Sequence, residues 1–181
     1  LSRARARFVA EAFTLRYIPA REDLDVVASF RDPSHPQRVA IESVPAGHAL
    51  VVDSRGDGTA ASAGEILTTR LAVRGCAALV TDGSVRDSYR IKDVDLPVFT
   101  RSVTPTTNLV LHHAADMQVP IGCGGVAVFP GDVLVGDPEG VVVIPRHLAE
   151  EVSVDALEQE RLEEFLLAKV AAGAPVPGTY P

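Results

Sequence analysis

The sequence predicts a mixed α/β fold with a strand-rich second half and a long C-terminal helix. Three observations carry that expectation. Two short apolar runs, Ala49-Leu50-Val51-Val52 and the residues from Ala77 to Val80, flank a stretch with helical spacing at 64–74. Residues 125–145 break into three Val-rich runs separated by Pro, Gly and Asp turns. Residues 147–172 then place Leu148, Val152, Leu157, Leu162, Phe165, Leu166 and Val170 at helical spacing.

Taken in order, Phe13, Leu15 and Tyr17 alternate with Thr14 and Arg16, the period of a half-buried strand, and Pro19 ends it. Charge and proline dominate 20–37, which reads as a loop or a short helical turn. The run 49–52 follows Pro45-Ala46-Gly47 and reads as a buried strand, with a Gly/Asp loop at 53–59. Within 64–74, Ile66, Leu67 and Leu71 share one face, and Gly75 is placed to stop the helix. A second buried strand at 77–80 leads to an expected turn at Thr81-Asp82-Gly83-Ser84, and Pro97-Val98-Phe99-Thr100 reads as another strand. The runs 126–129, 133–135 and 141–144 are expected to form a meander that Pro145 closes. Gly173 and Pro175 end the terminal helix, a length of helix that often packs on a partner subunit.

The 181 residues fit one domain with room for a core, and 46% hydrophobic with 23% charged residues is an ordinary globular balance. Aromatics are only 5% and Trp is absent, so Val, Leu, Ile and Ala must build that core. A net charge of -7 argues against a nucleic-acid partner, because neutralising phosphates needs clustered Lys and Arg. The one basic concentration, Arg3, Arg5 and Arg7, reads as a solvated terminus. Cys76 and Cys123 have no CxxC spacing and sit among small apolar residues, which fits free thiols in a reducing cytoplasm. No apolar run reaches the ~18 residues of a membrane span, so neither a membrane partner nor a membrane location is expected.

The candidate chemistry lies at Arg86-Asp87, directly after a strand and a Gly-containing segment. The end of a buried strand is where α/β proteins place reactive groups. An Arg fork can hold a carboxylate bidentately, and an Asp offers hard oxygen ligands to a divalent cation. The structural alternative is an exposed ion pair. Gly64-Glu65 opens a helix, whose start presents free N–H groups to an anion; Glu65 also suits a first turn for structural reasons alone. If the helix runs back along the strand at 77–80, its start and the strand's end share one sheet edge, and a pocket forms between them. The five histidines, His35, His48, His112, His113 and His147, lack metal-site spacing, and His112-His113 suits packing or surface roles. Gly122-Cys123-Gly124-Gly125 reads as an anion nest or a tight backbone approach. No GxGxxG, Walker loop or GxSxG elbow is present.

These motifs together resemble the RraA-like family, which includes 4-hydroxy-4-methyl-2-oxoglutarate aldolases and regulators of ribonuclease E activity. The resemblance runs through Gly64-Glu65-Ile66-Leu67, Arg74-Gly75, Val80-Thr81-Asp82-Gly83-Ser84-Val85-Arg86-Asp87 and Leu96-Pro97-Val98-Phe99. It continues through Gly124-Gly125-Val126-Ala127-Val128-Phe129-Pro130-Gly131-Asp132, the segment from Asp137 to Pro145, and Gly178-Thr179-Tyr180-Pro181. Phe13-Thr14-Leu15-Arg16 and Pro19-Ala20-Arg21-Glu22-Asp23 are similar to the branch called ribonuclease activity regulators. An acidic residue, Glu65, is followed by residues 66–85 and then Arg86-Asp87, the spacing of the family pattern.

The resemblance implies a swivelling β/β/α domain over 1–181, assembled as a trimer or a hexamer of two trimers, beginning inside the family pattern without its usual N-terminal helical segment. It implies a class II pyruvate aldolase with oxaloacetate decarboxylase activity, dependent on Mg2+ or alternatively Mn2+. Asp87 would be the metal ligand, and Arg86 would bind the substrate carboxylate and the enolate side of pyruvate. Gly64, Glu65, Ile66 and Leu67 would line the 2-oxo acid site, the last two through backbone N–H groups, and Glu65 would hydrogen-bond a water on the metal. A neighbouring subunit's helix would add an acid, for which Glu160, Glu163 and Glu164 are the candidates. Three positions after Asp87, where some aldolases of the family carry an acid, this chain has Arg90. The alternatives are a non-catalytic inhibitor that binds an endoribonuclease, or a metal-dependent lyase or hydratase of sugar-derived 2-oxo acids. Asp87, which the family's regulators lack, favours the enzyme.

Overall fold

A 12-residue strand, β1 (Phe8–Pro19), is the spine of the fold. In the computed structural model, which describes residues 7–180, its first half pairs antiparallel with β9 (Val133–Asp137) and its second half with β6 (His112–Met117). Arg3 and Arg5 of the basic start, and Pro181, lie outside the described residues. Parallel to β1 runs β2 (Ala49–Asp53), then β4 (Ala78–Val85), which takes β3 (Ala61–Ala63) and β5 (Val98–Val103) as further parallel partners. The strand order is β10-β9-β1-β2-β4-β3, where β10 is Gly140–Ile144.

The sheet is buried on both faces, and the alternation along each strand shows it. Phe13, Leu15 and Tyr17 of β1, with Leu50, Val52 and Leu79, face one core. Phe8, Ala10 and Ala12, with Ala49, Val51 and Ala78, face the other. The first core is covered by α1 (Pro36–Ser43), α2 (Glu65–Val73) and α3 (Ser88–Ile91), through Ala40, Ile41, Leu71 and Ile91. The second is covered by β7 (Ile121–Cys123), β8 (Val126–Val128), β9 and β10, through Ile121, Val128, Leu134 and Val141. Helices, sheet and second β layer make the expected β/β/α arrangement, and each fully buried Leu or Val contributes ~1.5–3 kcal/mol of transfer free energy.

Several local expectations are corrected. Thr81-Asp82-Gly83-Ser84 is no turn: β4 runs through it, with a bulge against β5 between Thr81 and Ser84. Gly83 is needed for close approach, since a Cβ there would sit 2.5 Å from Ser54 Cβ. Asp82 instead accepts the N–H groups of Ser54 at 2.7 Å and Gly56 at 2.9 Å. The three Val-rich runs do form strands, and β9 pairs with β10, but β8 pairs back onto β7 and β9 crosses to β1, so the three do not make a single meander. Gly124 and Gly125 form the β7–β8 turn with φ of 62° and 81°, the positive pair that a type I′ hairpin requires. The charged stretch at 20–37 ends in the start of α1, where Pro36 occupies the first turn. On α2 the buried residues are Thr68 and Leu71, while Ile66 is exposed.

Residues Ile144–Pro181 form a second compact unit, described by itself. Its α4 (Ala149–Ala171) ends as expected at Gly173, with φ of 99°. Gly173 N–H donates to Val170 O at 2.9 Å and Ala174 N–H to Lys169 O at 3.1 Å, the two bonds of a Schellman cap. No helix among the described residues is long and apolar enough to cross a membrane.

Candidate functional site

The end of β4 and the start of α2 meet, as expected of a helix that runs back along its strand. The Arg86 N–H donates to Ala63 O at 3.0 Å, fixing the strand end beside the residue that leads into α2. The chain then turns sharply at Asp87, whose φ of 57° and ψ of 30° are left-handed. Asp tolerates this region better than most residues, yet strain on the order of 1 kcal/mol remains. That turn starts α3, with the Asp87 carbonyl accepting the N–H groups of Arg90 at 2.8 Å and Ile91 at 3.0 Å.

It also swings the Asp87 side chain over α2. Its Oδ2 accepts the Glu65 N–H at 3.2 Å and lies 3.5 Å from Arg86 Nε. Side-chain exposures of 43% for Arg86 and 39% for Asp87 mean the pair is screened, so its stabilisation is ~0–1 kcal/mol and its geometry serves something other than stability. Thr68 N–H closes the first helical bond to Gly64 O at 3.0 Å. With the Glu65 N–H taken by Asp87, Ile66 and Leu67 supply the remaining free donors of that first turn.

Gly64 lets these parts approach. Its φ of -132° and ψ of -172° are extended backbone open to any residue. A Cβ there, however, would lie 2.6 Å from Asp87 Oδ2 and 2.7 Å from Arg86 Nε. The donor set suits a hard divalent cation that keeps most of its water: one carboxylate oxygen is held by a backbone N–H, and the other has no hydrogen bond among the described residues. Among the described residues no group of three His, Cys, Asp or Glu forms a protein-only metal cage. Arg90 lies on α3 within electrostatic reach of Glu65; its guanidinium is held above its ordinary pKa first by the Tyr89 hydroxyl and then by the Glu65 charge.

Beside this corner opens a cavity of about 290 Å³. Gly64, Ile66, Leu67 and Arg86 line it, joining four of the predicted site residues, whereas Glu65 and Asp87 are not part of its wall. Apolar side chains, among them Phe30 and Leu109, make up much of the rest. Five polar residues that sequence reasoning did not single out also line it: Gln37, Arg38, Ser62, Thr107 and Asn108. Gln37 Nε2 is engaged, donating to Ser62 O at 2.8 Å and to the Tyr17 hydroxyl at 3.1 Å. Burial pushes that Tyr17 hydroxyl well above its usual range and keeps it protonated. Asn108 is 5% exposed, and neither its Oδ1 nor its Nδ2 has a hydrogen-bond partner. Leaving a buried amide unpaired costs on the order of 1–3 kcal/mol. Asn108 sits in a 3-10 turn, Asn108–Val110, between β5 and β6, with no flanking motif that marks it.

The remaining candidates lie elsewhere. His112 is buried and stacked on Tyr17 with ring centroids 5.3 Å apart, and His113 Nδ1 contacts Asp25 Oδ1 at 2.9 Å, so both have packing and surface roles. Glu160, Glu163 and Glu164 lie in the second unit, where with Leu166, Leu167 and Tyr180 they line a shallow groove beside α4.

Comparison with known proteins follows this geometry. The family model RraA-like, described as Aldolase/RraA, matches residues 1–143. A putative 4-hydroxy-4-methyl-2-oxoglutarate aldolase of Halalkalibacterium halodurans is 36% identical over 118 residues, 65% of this chain and 56% of that protein. The 4-hydroxy-4-methyl-2-oxoglutarate aldolase of Thermus thermophilus is 30% identical over 141 residues, 78% of this chain and 77% of its own. The structure of Streptomyces coelicolor RraAS2, described as an unusual member of the RNase ES inhibitor RraA family, superposes with a TM-score of 0.79 at 30% identity, covering 90% of this chain and 78% of that one. The chain thus spans little more than half of the Halalkalibacterium relative, and 26% of Legionella pneumophila DlpA, to which it is 26% identical over 168 residues.

Proposed function

The chain belongs to the RraA-like family, and from that footing we propose that it is a metal-dependent lyase that cleaves a C–C bond of a 2-oxo acid to give pyruvate. One observation carries the reading: the Asp87 carboxylate, Arg86 and the first turn of α2 converge through the 3.2 Å bond from Glu65 N–H, and Arg86 with Gly64, Ile66 and Leu67 also lines the cavity beside them. The names of the Halalkalibacterium and Thermus relatives support the aldolase class, with 4-hydroxy-4-methyl-2-oxoglutarate as a substrate; oxaloacetate decarboxylation, which passes through the same pyruvate enolate, is proposed as a second activity.

Arg86 binds the substrate carboxylate through its fork, and the Ile66 and Leu67 N–H groups hold the same 2-oxo acid. Asp87 would hold Mg2+, or Mn2+ as the alternative. Bound there, the ion supplies Lewis acidity that stabilises the negative charge developing on the 2-oxo oxygen as the C–C bond breaks. Cleavage of the aldol removes a proton from the hydroxyl carbon's oxygen and returns one to the pyruvate methyl carbon; Glu65 orients the water that carries it. In the same reading the protein is a cytoplasmic homo-oligomer, a trimer or hexamer, whose α4 brings Glu160, Glu163 or Glu164 to a neighbour's site.

The purified protein with Mg2+ is expected to release pyruvate from oxaloacetate and from 4-hydroxy-4-methyl-2-oxoglutarate, and Asp87→Ala is expected to abolish both. Full activity in that variant would overturn the site. The second reading, a non-catalytic inhibitor bound to an endoribonuclease, draws on the likeness to RraAS2. It requires capture of an endoribonuclease by a protein that turns over neither substrate.

A further inference from the structure

We propose that Gln37 is the residue that reads a hydroxyl on the substrate's carbon chain, through an amide oxygen that Tyr17 and β3 hold open to the cavity beside Arg86. The placement rests on the lyase reading, which seats the substrate carboxylate at Arg86.

The Gln37 amide can stand only one way round. Gln37 lies in the first turn of α1 and is 3% exposed. Its Nε2 donates to Ser62 O at 2.8 Å and to the Tyr17 hydroxyl at 3.1 Å. A carbonyl only accepts, so the amide nitrogen must face Ser62, and both of its N–H groups are spent. The Tyr17 O–H in turn donates to Ser62 O at 3.4 Å, and burial keeps that hydroxyl protonated. Oε1 is therefore turned away from these partners. It accepts no hydrogen bond among the described residues and, unlike the Asn108 amide, is not closed off from solvent, so it opens onto the cavity that Gln37 lines.

An amide oxygen accepts and carries no net charge, so its complement is a neutral donor, an O–H and not a carboxylate. Val27, Phe30, Leu67 and Leu109 make much of the wall apolar, and the Ser62 hydroxyl is already engaged with Ser54 at 2.6 Å and Thr81 at 3.1 Å. A chain that brings no hydroxyl leaves Oε1 desolvated and unpaired, the arrangement that discriminates most sharply against an analogue lacking the group. The strand β3 ties this acceptor to the carboxylate seat. Successive carbonyls of a strand point to opposite sides. Ala63 O takes the Arg86 N–H at 3.0 Å, and Ser62 O, one residue or ~3.3 Å away along β3, takes Gln37. One small molecule can therefore place a carboxylate on Arg86 and a hydroxyl on Gln37. The amide is not basic, so it orients the O–H and takes no proton from it.

Calorimetry in Mg2+ with acids that cannot be cleaved separates this role from turnover. The probes are 2,4-dihydroxy-4-methylpentanoate, its counterpart 2-hydroxy-4-methylpentanoate, and the 4-fluoro analogue, in which fluorine replaces the 4-hydroxyl but cannot donate. None has a 2-oxo group to accept electrons, so no C–C bond breaks. The native protein is expected to bind the dihydroxy acid about tenfold more tightly than either of the others. Gln37→Met, close in volume, should bring all three within about twofold of one another. Tyr17→Phe frees one N–H of the amide and loosens it, and should cut the preference to about threefold. A residue that merely held the fold would weaken all three probes equally when replaced. Thermal melts check that the variants fold, and the comparison of the three probes on the native protein needs no variant. Equal binding of the probes by the native protein, binding of none of them, or a preference that survives in Gln37→Met or stands undiminished in Tyr17→Phe overturns the role of Gln37; pyruvate release by the native protein would then leave the lyase reading intact. A preference lost in Gln37→Met, with no turnover of any 2-oxo acid by the native protein, would sink the lyase reading and leave Gln37 as the hydroxyl acceptor.

Discussion

The Oδ2 atom of Asp87 accepts the backbone N–H of Glu65 at 3.2 Å, joining residues 22 apart in sequence. This bond turns the end of a strand and the start of a helix into one corner. It also separates two roles of Asp87 that substitution can pull apart. The N–H acceptor is structural, and the negative charge is chemical. Asn retains an acceptor oxygen and tolerates the left-handed φ of 57°. Asp87→Asn is therefore expected to melt within about 2 °C of the native protein. Mg2+-dependent pyruvate release should nevertheless fall on the order of 100-fold or more, because the proposed cation would lose the carboxylate charge of Asp87. An active Asp87→Asn would remove the charge from the argument.

Gly64→Ala tests the same corner from the other side. The backbone there is extended, so the substitution introduces no strain of its own. Its Cβ would meet Asp87 Oδ2 at 2.6 Å and Arg86 Cγ at 2.9 Å, and both side chains must swing aside. Because they are partly exposed they can move, and the stability loss should stay near ~1 kcal/mol, at the low end for overpacking. Displacing them by a fraction of an ångström to an ångström should reduce kcat/KM by about 10- to 100-fold. A variant with native kinetics and a lowered Tm would show Gly64 to be a packing residue only.

What the sequence made legible followed from period and spacing. The strands at 49–52 and 77–80, α2 and its Gly75 stop, and α4 with its Gly173 stop all stand where apolar period and glycine placed them. The corner between Glu65 and Asp87 was legible because a helix returning along its strand fixes where the two ends meet. Gly83 misled: it marks a close approach to Ser54, and sequence alone does not distinguish that need from a turn. The pairing of β8 with β7 was hidden because strand partners are chosen by tertiary register, which a run of valines does not encode. Arg38 and Asn108 were illegible for a related reason. Each is an ordinary polar residue locally, and only the packing of α1 on β6 and α2, and of the turn before β6 on β3, brings them to one cavity.

Acid should weaken the fold through His112. The ring is buried against Tyr17, and its pKa is held below the ordinary 6.5, first by burial and then by Arg55, whose Nη2 lies 3.4 Å from Nδ1. Asp57 and Asp82 pull in the opposite direction without reversing it. With the folded value depressed, the unfolded chain binds more protons between the two values. Stability is thus fully present above about pH 6.5 and declines as pH falls from there to the depressed folded value. Thermal melts across that window should show Tm falling toward acid, and His112→Phe, which keeps a ring against Tyr17, should flatten the slope. His35, also depressed chiefly by burial, leaves a residual slope in that variant. An unchanged slope would assign the acid sensitivity to other groups.

The terminal helix supplies the test of assembly. None of its 23 residues is buried, yet Leu157, Leu162, Phe165 and Leu167 are 49–70% exposed along it. Helices of this kind derive most of their stability from packing an apolar face. The proposed homo-oligomer covers that face. Sedimentation velocity is expected to find a trimer or hexamer, and Phe165→Glu, which places a charge where the Lys169 ammonium now sits 4.7 Å over the ring, should shift it to smaller species. If an acid among Glu160, Glu163 and Glu164 completes a neighbour's site, the dissociated variant loses pyruvate release although Arg86, Asp87 and Glu65 are untouched. Glu163→Gln and Glu164→Gln in the intact oligomer then identify which acid is responsible. A native protein that sediments as a monomer and is fully active would show that α4 takes no part in the chemistry.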